Sequence, residues 1–336
     1  MPNSSNNGPG HNEHSEPDHH VACAVDSQMS YALSVLLSSL KKTSSAPFCL
    51  TIGYLEGTLD RNDCLYLEQV CDNLTIRMNF LPLESKDSFI SQGHISPTTF
   101  AKFLLADAIE GPHLWIDADT IALPGWDSIF STILSASEEE GLVVASRGTT
   151  SISGGSRPSD LPFNAGVLGF PAGARRDWET PLASLEMVDT QEQFLFNQLY
   201  AETAIRVSEN FNQLTYRIES LVSTNMPFII HFAGAHKPWH LRRNLTKSCM
   251  AFECPWSAWF EAEQNLYAQF RNTPLLPELE RRQRVALKAG KLRLRRDHSG
   301  YNFLRLLTAL GPLSPFVLNF LGLLKQWIPR GTHPIH

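Results

Sequence analysis

Three neighbouring segments restrict the fold more than any other part of the chain: "HVACAVD" at 20–26, "SYALSVLLSSLKKTS" at 30–44 and "FCLTIGYL" at 48–55. The first and third are short apolar runs of strand type, and the second carries apolar residues at helical spacing. A strand, a helix and a strand joined by short links imply a parallel pair with the helix as crossover. The pattern then continues. "TLDRNDCLYLEQVCDN" reads as a helix, "TIRMNFLPL" as a strand, and "SPTTFAKFLLADAIEG" as a helix with a Ser or Thr cap and a Gly stop. The expected class is α/β, a parallel sheet with helices packed on its faces.

Open α/β sheets bind ligands at the carboxyl ends of their strands. Asp26 ends the first strand, and "HLWIDADTIALPGW" (113–126) ends another with Asp117 and Asp119. On an extended strand, residues two apart share a face, so these carboxylates are expected to point the same way. They repel unless one is protonated or a cation lies between them, and Mg²⁺ and Mn²⁺ favour such oxygen ligands. The alternative is a solvated acidic turn closed by Pro124 and Gly125.

Further along, "GLVVASRGTTS" suggests a strand and a Gly/Ser loop. In "LPFNAGVLGFPAG", Asn164 and Gly166 interrupt an apolar strand, as a bulge or a close backbone approach would require. "DTQEQFLFNQLYAE" is helical, with Gln191, Glu192 and Gln193 at its start. "PFIIHFAGAHKPWH" is a strand delivering His231 to a loop that contains Gly234, His236, Lys237, Trp239 and His240. A lone strand-end histidine is an ordinary structural residue; beside a lysine and a flexible glycine it reads as a ligand. A metal held by Asp117, Asp119 and His231, with Lys102 and Lys237 nearby, would stabilise a departing diphosphate.

Taken together, "ISPTTFAKFLLADAI", "LWIDADTIAL", "FNAGVLGF", "QEQFLFN" and "HFAGAHKPWH" resemble, in order and spacing, the retaining glycosyltransferases of family 8, over about residues 20 to 240. That family includes bacterial lipopolysaccharide galactosyl- and glucosyltransferases and glycogenin. The resemblance implies a GT-A fold and Mn²⁺ (or Mg²⁺) bound with a UDP-sugar. It assigns Asp117, Asp119 and His231 to the metal, Gly234 and Lys237 to the diphosphate, and Lys102 to the donor region. By the same resemblance Asp26 and Gln28 hold uracil and ribose, Asn164 and Ala165 contact the donor sugar, and Glu192 and Gln193 lie near the anomeric carbon. Three departures bear on sugar choice: Met29 where many members have a tyrosine, Glu192 for an Asp, and no aspartate in "ASRGTTS", although Asp160 follows. The implied activity is hexosyl transfer, of galactose or glucose, to a glycan or glycolipid acceptor in surface polysaccharide synthesis. The alternatives are a non-catalytic UDP-sugar or glycan-binding module and a D-x-D phosphohydrolase.

Composition sets the limits of this reading. With 336 residues, 43% hydrophobic, the chain can bury a large core, and a net charge of −6 argues against nucleic acid as a partner. Residues 1–20 are polar and rich in Asn, Ser and His, which predicts a disordered tail. Six cysteines without C-x-x-C spacing, and no secretory signal ahead of them, predict reduced thiols in a cytoplasmic protein. A catalytic domain is expected over 21–245 and a helical extension over 246–336. In that extension, "CPWSAWFEAE" packs on the main domain or lines an acceptor groove. Arg281, Arg282, Arg284, Lys288, Lys291, Arg293, Arg295 and Arg296 precede an apolar run broken by Pro312 and Pro315. This pattern suits either a helical cap or dimer contact, or a peripheral contact with an anionic membrane surface at the inner face.

Overall fold

The structure, a computed structural model, describes residues 19–89, 96–137, 141–146, 162–184, 191–215, 226–234, 237–240 and 256–296. The alternation expected from sequence is there: β1 (His19–Ala24), α1 (Ser30–Thr43), β2 (Phe48–Leu55), α2 (Arg61–Asn73), β3 (Arg77–Leu83), α3 (Ala101–Ala108) and β4 (His113–Ile116). Two helix starts have a clear local cause. Asp60 accepts from the Asp63 N–H at 2.8 Å while Asp63 accepts from the Asp60 N–H at 3.2 Å, a reciprocal cap for α2. Ser96 caps the 3-10 turn Pro97–Phe100 that leads into α3.

The second half contributes β5 (Thr120–Ala122), α4 (Ile129–Ser135), β6 (Val143–Ser146), β7 (Val167–Phe170), α5 (Glu179–Ser184) and α6 (Gln191–Tyr200). After these come β8 (Ile205–Ser208), β9 (Gln213–Leu214), β10 (Ile229–His231), α7 (Trp256–Phe270) and α8 (Leu276–Arg296). Among the described residues the main sheet runs β3-β2-β1-β4-β7-β6-β8, and a smaller sheet runs β5-β10-β9.

The main sheet is mixed rather than wholly parallel. β7 runs antiparallel to both β4 and β6, a direction that a short apolar run cannot encode. This reversal matters for the site. Because Ile116 pairs with Val167, the chain enters β7 where β4 ends, and the Asp117 N–H donates to the Gly166 carbonyl at 2.8 Å. The Asn164–Gly166 stretch therefore lies beside the two aspartates.

Apolar clusters cover both faces of the sheet. α1 is buried from Ser30 to Leu40 because the sheet covers one side and α7 and α8 contribute to the same cluster on the other. Trp259 of α7 is fully buried against Trp239, with ring centroids 4.6 Å apart, and meets Phe232 edge-on at 5.7 Å. Such aromatic pairs add about 1 kcal/mol each beyond the area they bury. Of the two roles open to "CPWSAWFEAE", Trp259 has the packing one. The extension shares the core of the sheet domain.

Two expectations change at the ends of the chain. His19 and His20 belong to β1 rather than to a tail: His19 stacks on Phe130 at 4.2 Å, and His20 Nε2 lies 2.8 Å from Thr51 Oγ1. Nor are the first two arginines of the basic run free charges. Arg281 pairs with Glu278 at 2.6 Å, and Arg282 is 6% exposed among acidic partners, so the membrane-surface reading loses these charges. The four cysteines described, Cys23, Cys49, Cys64 and Cys71, are free thiols. Residues 1–18, the Gly/Ser loop with Asp160, His236, Cys249, Cys254 and the apolar run after 300 lie outside the described residues. Among those described, no helix is long and apolar enough to cross a membrane.

Candidate active site

β4 ends at Ile116 and β5 begins at Thr120, so Asp117 and Asp119 occupy the tight link between two strands. Strand alternation, the expected cause of their convergence, is not what aligns them. The link is closed by Thr120 Oγ1 donating to the Asp117 carbonyl at 2.9 Å and by the Phe232 N–H donating to the Asp119 carbonyl at 2.9 Å. β10 pairs antiparallel with β5, His231 opposite Thr120, which delivers the imidazole to the same place. One ligand atom from each of Asp117, Asp119 and His231 then falls within 4.8 Å of the others.

A chain of amides sets the imidazole. Asn212 Nδ2 donates to the Asn164 carbonyl at 3.1 Å and to Asn164 Oδ1 at 2.9 Å, which turns Asn212 Oδ1 toward His231 Nδ1 at 2.9 Å. An oxygen facing Nδ1 assigns the proton to Nδ1 and leaves the Nε2 lone pair facing the aspartates. Nε2 lies 3.4 Å from Asp119 Oδ1. Two carboxylates and an imine nitrogen, all acceptors, thus face one another. That donor set fits a divalent cation of the Mn²⁺ or Mg²⁺ kind. Gly166 makes room for it: a Cβ there would lie 2.2 Å from His231 Cε1. The close approach expected at this glycine is to a side chain of the protein itself.

Two lysines offset the acid. Lys102, 1% exposed, donates to the Ala165 carbonyl at 3.1 Å and lies 3.4 Å from Asp117 and 3.7 Å from Glu192. Lys237 pairs with Asp119 and donates to the Phe232 carbonyl at 2.8 Å. Burial pushes the Asp117 carboxyl above the usual range, with Lys102 opposing and Asp119 adding to the rise. Burial acts the same way on Asp119, but the Lys237 ammonium opposes it and that carboxyl lies well below the usual range. Three carboxylates against two ammonium groups leave a surplus of negative charge. Glu192 Oε2 is buried and has no hydrogen-bond partner among the described residues.

Asp117, Asp119, His231, Glu192 and Lys237 line a cleft of about 280 Å³ at the carboxyl ends of β1 and β4. Asp26 and Gln28 stand at one part of its wall, with Asn164, Glu192, Gln193, Gly234 and Lys237 elsewhere around the acidic link. Asn164 Nδ2 donates to Gln193 Oε1 at 2.8 Å, which fixes that amide in the wall. Gly234 has φ of +97°, a left-handed conformation that suits glycine. Lys102 and Ala165 do not line the cleft; they lie beneath it, joined to each other.

Sequence reasoning missed Asn212, Trp115 and the Ser96–Thr99 turn. Trp115 Nε1 donates to Asp117 Oδ1 at 2.7 Å, and Ser96, Thr98 and Thr99 line the cleft near Asp26. Asn212 and Trp115 act through a ligand rather than as one. A two-residue spacing from Asp117 was the only available signal for Trp115.

A family model described as Glycosyl transferase family 8 matches residues 20–242. Among curated proteins, the glycosyltransferase GlyD of Streptococcus pneumoniae serotype 4 is 27% identical over 175 residues, 44% of this chain and 20% of that protein. The chain thus spans about a fifth of the length of this relative. Among solved structures, the galactosyltransferase LgtC in complex with donor and acceptor sugar analogues gives a TM-score of 0.58 at 16% identity, covering 78% of this chain and 99% of LgtC. The bifunctional glycosyltransferase WbbM gives 0.56 at 13% identity, covering 81% of this chain and 53% of WbbM. At these identities the likeness to the solved structures is one of fold.

Proposed function

The chain belongs to glycosyl transferase family 8, has the GT-A fold and is a glycosyltransferase, and on that footing we propose that it moves galactose or glucose from UDP to a glycan or glycolipid acceptor with retention of configuration. The phosphohydrolase alternative gives way to this membership. The observation that carries the finer reading is the convergence of Asp117, Asp119 and His231 in a cleft that Asp26, Gln193 and Lys237 also line. Asp117, Asp119 and His231 would hold the divalent ion. When bound, the ion supplies positive charge to the diphosphate as the sugar departs.

This chain's own groups do the rest. Lys237, beside Asp119 at the cleft wall, contributes positive charge to the diphosphate, with Gly234 allowing close backbone approach. Asp26 and Gln28 hold the nucleoside. The unspent oxygen of Glu192 accepts from a donor-sugar hydroxyl, while Lys102 lies beneath both Asp117 and Glu192 as their shared cation. Gln193, its amide oriented by Asn164, lies against the sugar face opposite the leaving group. An amide is a poor nucleophile, so retention proceeds by same-face attack. The acceptor hydroxyl oxygen bonds to the anomeric carbon as the bond from that carbon to the phosphate oxygen breaks, and the hydroxyl proton passes to the departing phosphate.

In this proposal residues 21–245 form the catalytic unit and 246–336 a helical extension of it. The test needs no known acceptor: UDP release from UDP-galactose and UDP-glucose, with Mn²⁺ or EDTA, in wild type and Asp119→Ala. Release that needs both Mn²⁺ and Asp119 supports the reading and names the donor. Release that is indifferent to EDTA refutes the metal assignment, and failure to bind UDP with Mn²⁺ refutes the donor assignment.

A further inference from the structure

We propose that Arg282, on α8 beyond the segment matched by the family model, is a positioning residue for the donor nucleotide. It rests on the reading that places the nucleoside at Asp26 and Gln28. Arg282 Nη1 donates to Asp63 Oδ1 at 2.5 Å and to Ser30 Oγ at 2.8 Å, and Nε donates to Glu278 Oε1 at 2.8 Å. Its guanidinium also lies 4.1 Å above the Tyr66 ring. A buried guanidinium needs partners for its donors, and Asp63, Glu278 and Tyr66 suffice to dock α8 on α2. The bond to Ser30 goes further.

Ser30 is the first residue of α1 and relays the contact. Its Oγ donates to the Ser27 carbonyl at 2.9 Å, and the Ser27 N–H donates to the Thr58 carbonyl at 3.0 Å. Asp26 Oδ1 accepts from the Gln28 and Met29 N–H groups at 3.0 and 3.1 Å. Residues 26–30 are therefore one braced turn: Asp26, Gln28 and Met29 face the cleft, and Arg282 holds the turn from behind through Ser30. Only a planar fork can serve Ser30, Asp63 and Glu278 together, so lysine cannot replace it. The extension thereby sets the nucleoside end of a site it does not line.

The test measures UDP affinity by calorimetry with Mn²⁺ present, together with KM, kcat and melting temperature for donor hydrolysis. The variants are Arg282→Lys and Ser30→Ala; the second keeps the Arg282 pairs with Asp63 and Glu278 and decides the matter if the first fails to fold. UDP binding should weaken about tenfold in Arg282→Lys and about threefold in Ser30→Ala. KM should rise in step and change more than kcat. The double variant should bind about as weakly as Arg282→Lys alone, since one relay is cut twice. A lower melting temperature with unchanged UDP affinity in both folded variants overturns the proposal and leaves Arg282 a staple. Wild type that binds no UDP overturns the nucleotide reading itself, and the brace with it.

Discussion

Arg282 with Asp63 and Glu278, and Lys102 and Lys237 with Asp117, Asp119 and Glu192, are two sets of buried charge built from the same kinds of residue. They differ in closure. Each nitrogen of Arg282 has a partner, and Asp63 spends its second oxygen on the cap of α2. At the cleft, carboxylates outnumber ammonium groups, an imine lone pair faces acid, and Glu192 Oε2 has no hydrogen-bond partner among the described residues. A closed cluster is a strut; one with unspent acceptors is built to take a cation and a substrate.

The largest expected effect tests the open cluster. Asp119→Asn keeps the shape and removes the charge, so Mn²⁺-dependent UDP release should fall by about a thousandfold. Its melting temperature should fall, but by less than in the next variant, because Lys237 loses its anion while the repulsion between Asp117 and Asp119 is relieved. A loss of stability comparable to that of the next variant would erase the distinction between the clusters.

Arg282→Met breaks the closed cluster and strands Asp63, while Glu278 keeps Arg281. Urea unfolding should show a loss of about 3–5 kcal/mol. A loss under about 1 kcal/mol would mean that the pair is screened and that α8 is held by apolar contacts alone.

Gly166→Ala lies between these cases, since the added methyl strikes the His231 ring without changing any charge. A stability loss of about 2 kcal/mol is expected from overpacking, with Mn²⁺ binding weakened about tenfold or more as the imidazole turns away. Unchanged Mn²⁺ affinity in calorimetry would remove His231 from the ligand set.

The two clusters were unequally legible in sequence. Asp117, Asp119, His231 and Lys237 sit at strand ends or in the loop after one, where periodicity and fold class already direct attention. Arg282 lay in a run of basic residues that singled out none of its members, because its partner Asp63 is 219 positions away and nothing local marks the pair. The βαβ order was legible from residue 20 onward, whereas the reversal of β7 was not, since alternation carries no direction. The aspartates were rightly grouped for the wrong reason: their alignment comes from hydrogen bonds closing a turn, which a two-residue spacing does not reveal.

The smallest effect concerns a third way of burying an ionisable group, which is to keep it neutral. His113 opens the strand whose end leads to Asp117; it is 2% exposed, stacks on Phe170 at 4.7 Å and shares a hydrogen bond with the Gly111 carbonyl. Burial, with His20 and Arg175 adding, lowers its pKa to about 4. The unfolded chain, near 6.5, takes up the proton first as pH falls, so stability is fully present above that value and drains away down to the folded value. Between about pH 7 and about pH 5.5 this one residue should cost about 1 kcal/mol in urea unfolding with EDTA present. His113→Gln, which can still donate to Gly111, should lose that increment of pH dependence while the rest of the profile persists. Identical slopes in the two proteins would show that the folded protein protonates His113 as readily as water does, and that neutrality is not how this end of the strand tolerates burial.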